Sequence, residues 1–370
     1  MKHYFLFILL SAAIATGGCT EELQPQTCGT NGTVPDESEL TEAVLNLSVN
    51  AFVVEAQAET RASIPSGTPE KETPEEKEIH NIWVFQYDAA TKELLIKPRY
   101  YTITDQAMLQ DLPVYLKAGV PSVVYVVTNT GYDNWANDGT DASWQKFKQL
   151  EQLKKQTLPT AFPLRSIDKV SIPMAGASEE VEVTTGITVT VPVTRMYAKL
   201  KVKVEMRKAE MELNNVNVRQ IPNICRVETL AGDGKGEPME PVPFPDETTF
   251  SSIAFAASDL EKNEDKEWAV FYVPENLQGE TQTQGGNKSD AAPSNALVVD
   301  ITTEIGGERY LYAAYPGGNS LNNFNIQRNQ VYRITVTITG EKNQNNPSAN
   351  CFVVKPDGFL SFEPYYRVET

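Results

Sequence analysis

The chain has 370 residues, with 49 acidic against 32 basic side chains and a net charge of -17 at pH 7. Nucleic-acid binding needs a basic footprint to replace phosphate counterions, so this charge excludes DNA and RNA as partners. The two histidines, His3 and His80, leave little material for histidine metal centres or a catalytic triad. The length predicts two domains at about 150 residues each.

Residues 1–18 open with Lys2, continue through an apolar run over 4–10 and end in small residues before Cys19. This is a secretory signal pattern, too short to span a bilayer as an anchor. Cys19 directly after Gly17-Gly18 resembles a bacterial lipobox, with Thr16 standing where Leu is usual. The resemblance implies that Cys19 is lipidated and that its acyl chains anchor the protein to a membrane. Thr20-Glu21-Glu22 resembles the acidic signal for surface display in lipoproteins of the Bacteroidales type. Cys28, Cys225 and Cys351 remain besides Cys19, which allows one disulfide and leaves the pairing open.

Residues 19–40 are polar and read as a tether. Over 44–54 (VLNLSVNAFVV) the apolar positions alternate: Leu45, Leu47, Val49, Ala51 and Val53 share one face, which predicts a first strand. Residues 60–78 hold three prolines and many charges, which predicts an exposed loop. Its Glu75, Glu76 and Glu78 read as solvated charges rather than a tuned acid–base pair. Short strands rich in β-branched and aromatic residues follow at 79–87, 100–104, 112–116 and 122–128. One helix is predicted over 143–153, where Trp144, Phe147, Leu150 and Leu153 recur at threes and fours behind a cap at Asp141 or Ser143. Strands resume at 181–183, 187–193, 198–206, 219–228, 269–273, 296–304, 309–314 and 330–340.

Many short strands with few helices predict an all-β chain of two β-sandwiches, 41–180 and 181–340, with no clear internal repeat. Residues 341–370 form an extension in which Pro356-Asp357-Gly358 separates two short apolar runs. The glycine-rich stretch 231–236 is followed by prolines, so it reads as a hairpin loop rather than a phosphate cradle. The oxygen-rich stretch 133–141 misses the order of a calcium loop and reads as a turn. No cofactor, metal site or catalytic constellation is expected.

Several strings resemble the fimbrillins, the pilus subunits of Bacteroidales. They are 172–176 (IPMAG), 193–204 (VTRMYAKLKVKV), 271–279 (FYVPENLQG), Tyr315-Pro316-Gly317 and 324–338 (FNIQRNQVYRITVTI). In the first half 82–85 (IWVF) and 124–129 (VYVVTN) add to them. The resemblance implies two sandwiches of transthyretin-like, Greek-key type and no enzymatic activity. It implies display on the cell outer membrane and in the fimbrium, through the lipid anchor. An arginine-specific protease is then implied to cut after the first strand, at Arg61–Ala62, the first arginine being Arg61 and the next Arg99. Loss of the first strand opens a groove for a strand of another fimbrial subunit. The donor strand is implied in the tail, through Cys351, Phe352, Val353, Val354, Phe359, Leu360 and Phe362. Pairing of that tail within its own domain stays open, as do stalk, anchor and tip roles. The other reading of a lipidated β-sandwich chain is a surface glycan-binding lipoprotein of a nutrient-uptake system, which needs exposed aromatic rings grouped on one face.

Overall fold

The computed structural model describes residues 40–54, 72–131, 133–136, 143–159, 164–166, 168, 171–206, 209–228, 240–263, 266–282, 288–318, 322–338, 353–354 and 362–363. The chain is mainly β. Its first strands are β1 Leu40–Val49, β2 Val53–Val54, β3 Asn81–Asp88, β4 Arg99–Thr102, β5 Leu112–Lys117 and β6 Pro121–Thr128. Helix α1 Leu150–Lys154 precedes β7 Thr157–Pro159, β8 Leu164–Arg165, β9 Met174–Ala177, β10 Val181–Glu182 and β11 Thr188–Arg195. Then come β12 Tyr197–Met206, β13 Glu212–Pro222, β14 Ile224–Arg226, β15 Phe250–Ala256, helix α2 Ala257–Leu260, β16 Ala269–Pro274, β17 Val298–Ile305, β18 Glu308–Ala314 and β19 Gln330–Ile338. The tail contributes β20 Val353–Val354 and β21 Phe362–Glu363.

The first sandwich is one sheet wrapped on itself, in the order β4-β3-β6-β9-β11-β1-β5, with β10 on β6. Strand β11 makes the turn between layers: residues 188–193 pair in parallel with β1, while Thr194 and Arg195 pair with β9. Gly176 permits that corner, because a Cβ there would lie 1.8 Å from the Pro192 carbonyl oxygen. The second sandwich packs β2-β19-β12-β16-β8, with β20 on β19, against β15-β13-β17-β18-β21. A small pair, β14 with β7, joins the two halves.

Each sandwich has its own core. Ala43, Leu45 and Leu47 of β1 enter the first with Ile82, Val84, Val124 and Val126. Leu200, Phe271, Ile301 and Ile334 are among those that fill the second. A third core lies between the sandwiches, from Trp83, Phe85, Tyr87, Tyr125 and Val127 of the first and Tyr197, Val270, Tyr272 and Val331 of the second. This explains why β3, β6 and β16 read as unbroken apolar runs. Their alternate side chains face two different cores, not a core and solvent. Phe147, Leu150 and Leu153 also enter the third core.

The structure changes several expectations. The boundary at 180 falls inside the first sandwich, because β10 pairs with β6 and β11 with β1; the chain crosses at Met196. The helix over 143–153 is split into a 3-10 turn, Trp144–Phe147, and α1. Gln149 between them is extended (φ -116°, ψ 141°) and bridges Glu93, with backbone bonds Leu94 N to Lys148 O and Leu150 N to Lys92 O. Those bonds to a neighbouring turn replace two links of the helical ladder. Strand β15 and helix α2 had no clear periodic signal. Glu76 is fully buried rather than solvated.

Candidate functional site

The first strand is not one continuous element. β1 ends at Val49, and Val53 and Val54 form β2 on a strand of the other sandwich, parallel to β19 at Gln330 and Val331. Ala51 and Val53 therefore leave the face that Leu45 and Leu47 share, and Phe52 is the side chain buried at the crossing. The segment 40–54 thus runs through both sandwiches. In the first, β1 lies between β11 and β5, paired with both. Burial of Leu45 and Leu47 contributes about 1.5–3 kcal/mol each to holding it there.

The crossing is held by a buried socket of charged and polar groups. Arg195 sits where β11 hands over to β12, alongside the crossing of the first segment. Its Nη1 donates to the Asn50 carbonyl (2.6 Å) and to Asn329 Oδ1 (3.2 Å) and forms an ion pair with the Glu72 carboxylate (2.9 Å). Its Nε donates to the Glu76 carbonyl (2.9 Å). Asn329 Nδ2 donates to the Ala51 carbonyl (2.7 Å), and the Phe52 N–H donates to Glu72 Oε1 (2.7 Å). The Asn50 N–H continues the parallel ladder to Val193 O, and its side chain donates to Thr194 Oγ1 (2.8 Å). The Phe52 ring stacks on Tyr272 and lies under the guanidinium of Arg195, 4.2 Å from centroid to Cζ.

Glu76 completes the socket, pairing with Lys199 (2.7 Å) and accepting from the Tyr272 hydroxyl. Burial pulls the Arg195 guanidinium below its ordinary pKa, and Glu72 and Glu76 pull it back up. Arginine stays cationic through such a shift. Burial also pushes the Tyr272 phenol upward, with Glu76 adding to it, so that phenol is a neutral donor. Asn329 is itself bent to a positive φ of 58°, which asparagine tolerates better than most residues, and its N–H donates to Tyr197 O. Arg195 and Lys199 face Glu72 and Glu76, with Lys77 pairing Glu72 from the solvent side, and the socket presents hydrogen-bonding groups and one aromatic slot to a passing chain.

The positions carrying this socket lie inside strings singled out earlier. Arg195 and Lys199 belong to 193–204, Tyr272 to 271–279 and Asn329 to 324–338. Charged residues interrupting apolar strands were the available signal for Arg195 and Lys199. Glu72 and Glu76 gave none, because a proline-containing acidic stretch reads as solvent-facing. The other conspicuous residues of 271–279 serve the loops: the Gly279 N–H donates to Asn325 Oδ1 (2.7 Å), and Asn276 and Ile326 exchange backbone bonds of 2.8 Å.

Of the remaining candidates, Cys19, Arg61, Ala62, Cys351, Phe352, Phe359 and Leu360 lie outside the described residues. Val49 is half-buried against the first core. Val353 and Val354 form β20, antiparallel to β19 at Val336 and Thr337, and Phe362 lies in β21, antiparallel to β18 at Ala314. Cys225 is a free, buried thiol next to Met196 Sδ (3.7 Å).

The geometry of the crossing also exposes a repeat that alternation alone did not show. Residues 48–54 read SVNAFVV and residues 348–354 read SANCFVV. Ser, Asn, Phe, Val and Val coincide, and the two differing positions hold small or aliphatic residues.

A cleft of about 440 Å³ between the sandwiches is lined by Tyr125, Lys154, Thr194, Glu228 and Arg328, among others. Its polar groups already have partners. The Tyr125 hydroxyl donates to Glu228 (3.0 Å), and Arg328 spans Glu275 and the carbonyls of Arg226 and Val227. Trp83 and Trp144 are buried, and Trp135 and Trp268 pack against the third core. Among the described residues Tyr115 is the large hydrophobic side chain that stands exposed, so the rings are not grouped on a surface.

A family model described as a domain of unknown function (DUF4906) matches residues 271–336, which hold the loop and strand strings just described. A comparison with curated proteins gives no match. Among solved structures the chain is similar to the tip fimbrial protein Mfa3 of Porphyromonas gingivalis with C-terminal truncation, at 14% identity and TM-score 0.48, covering 88% of this chain and 100% of that one. It is also similar to a fimbrial assembly protein of Parabacteroides distasonis, at 14% identity and TM-score 0.46, covering 88% and 98%. At these scores the likenesses add nothing to what the strand pairing itself establishes: a two-sandwich, mainly β chain whose first segment threads both sandwiches.

Proposed function

We propose that this chain is a structural and adhesive subunit of a cell-surface fimbria, exported as a lipoprotein through Cys19 and assembled by strand exchange. One observation carries the reading. β1 occupies an interior place in the first sheet, between β11 and β5, yet it is supplied by the segment just before Arg61. An interior strand normally belongs to the fold permanently. Here it is joined to the rest of the chain through residues 55–71, and a single cut at Arg61–Ala62 separates it covalently. The groups that hold it (Glu72, Glu76, Arg195, Lys199 and Asn329) all stay on the other side of that cut.

Departure of the segment unpairs residues 188–193 of β11 and all of β5, which has no other strand beside it among the described residues. Unpaired strand edges above an apolar groove drive addition of a strand from another chain. The partners are other subunits of the fimbria, the cutting enzyme is an arginine-specific protease, and the outer membrane holds the precursor through its lipid.

Treatment of the mature protein with an arginine-specific protease tests this. The expected result is release of the segment ending at Arg61 followed by ladders of oligomers, with Arg61→Ala remaining monomeric. Resistance at Arg61 with a stable monomer would refute it and leave the glycan-binding lipoprotein reading, which requires no cut.

A further inference from the structure

Among the described residues, parallel pairing is confined to three places: β1 with β11, β12 with β19, and the two-residue β2 with β19. The first two share a relation to the chain. β1 opens the first sandwich and β11 closes it, while β12 opens the second and β19 is its last long strand before the tail. Each sandwich thus holds its entry strand and its exit strand side by side, running the same way.

Direction decides how such a pair meets tension. In a parallel pair the start of the entry strand and the end of the exit strand lie at opposite ends of the ladder. Pulling them apart slides one strand along the other and loads every rung together. Parallel bonds are evenly spaced, so the load is evenly shared. In an antiparallel pair the same two points lie at one end, and the rungs open one after another.

The first ladder runs from Val44 with Thr188 to Val49 with Val193, six residue pairs. The second runs from Lys199 with Val331 to Met206 with Ile338, eight pairs. Both are shielded by their cores. Leu45 sits beside Val189 and Leu47 beside Val191 in the first, and Leu200 beside Tyr332 and Val202 beside Ile334 in the second. A hydrogen bond in such a low-dielectric place is stronger than one in water. Each entry strand is also interior, because β1 pairs with β5 on its other side and β12 with β16. Met196 alone stands between β11 and β12. It is fully buried, its N–H donates to Pro173 O (2.9 Å), and its carbonyl accepts from the Glu275 N–H (3.2 Å). Tension leaving β11 therefore enters β12 with no slack chain between them.

We propose that the β1–β11 and β12–β19 ladders are two shear clamps in series, by which this chain carries tension along its length. The inference rests on the fimbrial reading for the source of that tension; the resistance itself belongs to the single folded chain. β20 and β21, two residues each, lie beyond the clamps and come away first.

Single-molecule pulling of the uncut, full-length mature chain tests the proposal, with handles at its two ends. A second geometry moves one handle to exposed Glu210, just past β12, and keeps the other at the C-terminus. The pulled ends of β12 and β19 then lie at the same end of their ladder, and its rungs open singly. Rupture of the second sandwich should need several times more force end to end than from Glu210. The length released, at about 3.6 Å per residue, tells the first sandwich (40–195) from the second (197–338). Val202→Ala should lower the end-to-end force of the second sandwich, and Leu47→Ala that of the first alone. Phe255→Leu, in the same core as Val202 but on β15, should lower the thermal midpoint and leave that force unchanged. Equal force in the two geometries would overturn the proposal, as would equal loss of force from Val202→Ala and Phe255→Leu. High end-to-end force in a chain that resists cutting at Arg61 and stays monomeric would uphold the clamps and refute the fimbrial reading. Assembly of a chain that ruptures alike in both geometries would refute the clamps alone.

Discussion

Replacement of Arg195 by methionine removes the centre of the socket while keeping most of its volume. The guanidinium is fully buried and paired with Glu72, whose side chain is 3% exposed. Removal of one member of a buried, hydrogen-bonded ion pair costs about 3–5 kcal/mol, because the other charge is left without compensation. The Asn50 and Glu76 carbonyls also lose their donor. Glu72 keeps a second partner in Lys77 at 2.7 Å, but that ammonium is 52% exposed, and a pair screened by water contributes at most about 1 kcal/mol. Glu72→Gln is milder, since its amide oxygen still accepts from the Phe52 N–H. The double variant should therefore cost less than the two single changes together, with a coupling of about 1–3 kcal/mol. Urea unfolding of the four proteins, followed by tryptophan fluorescence, measures the cycle. A coupling below about 0.5 kcal/mol would show that the two side chains act independently and would refute the electrostatic account of the socket.

Leu45→Ala truncates a fully buried side chain of β1 and should cost about 2–5 kcal/mol, read as a fall in the thermal midpoint; a loss under about 1 kcal/mol would mean that β1 is not part of the first core. Gly176→Ala drives a Cβ into the Pro192 carbonyl, so β9 and β11 must separate, and a variant that melts with the parent would contradict the corner geometry. Burial pushes the Cys225 thiol up from 9.0 to about 12. Its pKa is raised in the folded state, so its contribution is intact below pH 9 and is lost as pH climbs through about 12. Buried Tyr87, Tyr125, Tyr197 and Tyr272 are raised as well, so Cys225→Ala should reduce the alkaline loss of stability without abolishing it. An unchanged slope between pH 9 and 12 would refute the assignment. The same burial predicts that thiol reagents label Cys225 at pH 8 only on unfolding.

Alternation of Leu45, Leu47 and Val49 was enough to locate a strand, because a two-residue period next to polar neighbours has one simple explanation. It did not show where that strand stops. Ala51 and Val53 continue the pattern on paper, yet the ladder to β11 ends at Asn50 and the next valines serve another sheet. Local pattern carries no information about which sheet a residue joins. The domain boundary failed for the same reason: β11 alternates like its neighbours, and only its pairing with β1 and β9 assigns it to the first sandwich. The seven-residue repeat was present in the sequence throughout. It is too short to stand out until the contacts of Asn50 and Phe52 give its shared positions a purpose.

The sequence by itself determined the β class, the net negative charge and the presence of a strand around Leu45 and Leu47. These follow from composition and short-range periodicity, which act on each segment separately. Tertiary structure alone decided the rest. Glu76, read as a solvated charge, and Glu72 in the stretch read as an exposed loop have buried carboxylates because Arg195, Lys199 and Tyr272 arrive from distant strands to neutralise and hydrogen-bond them. A carboxylate leaves water only when such partners converge on it. That convergence depends on how β11, β12 and β16 pack, and no neighbouring residue in the chain encodes it.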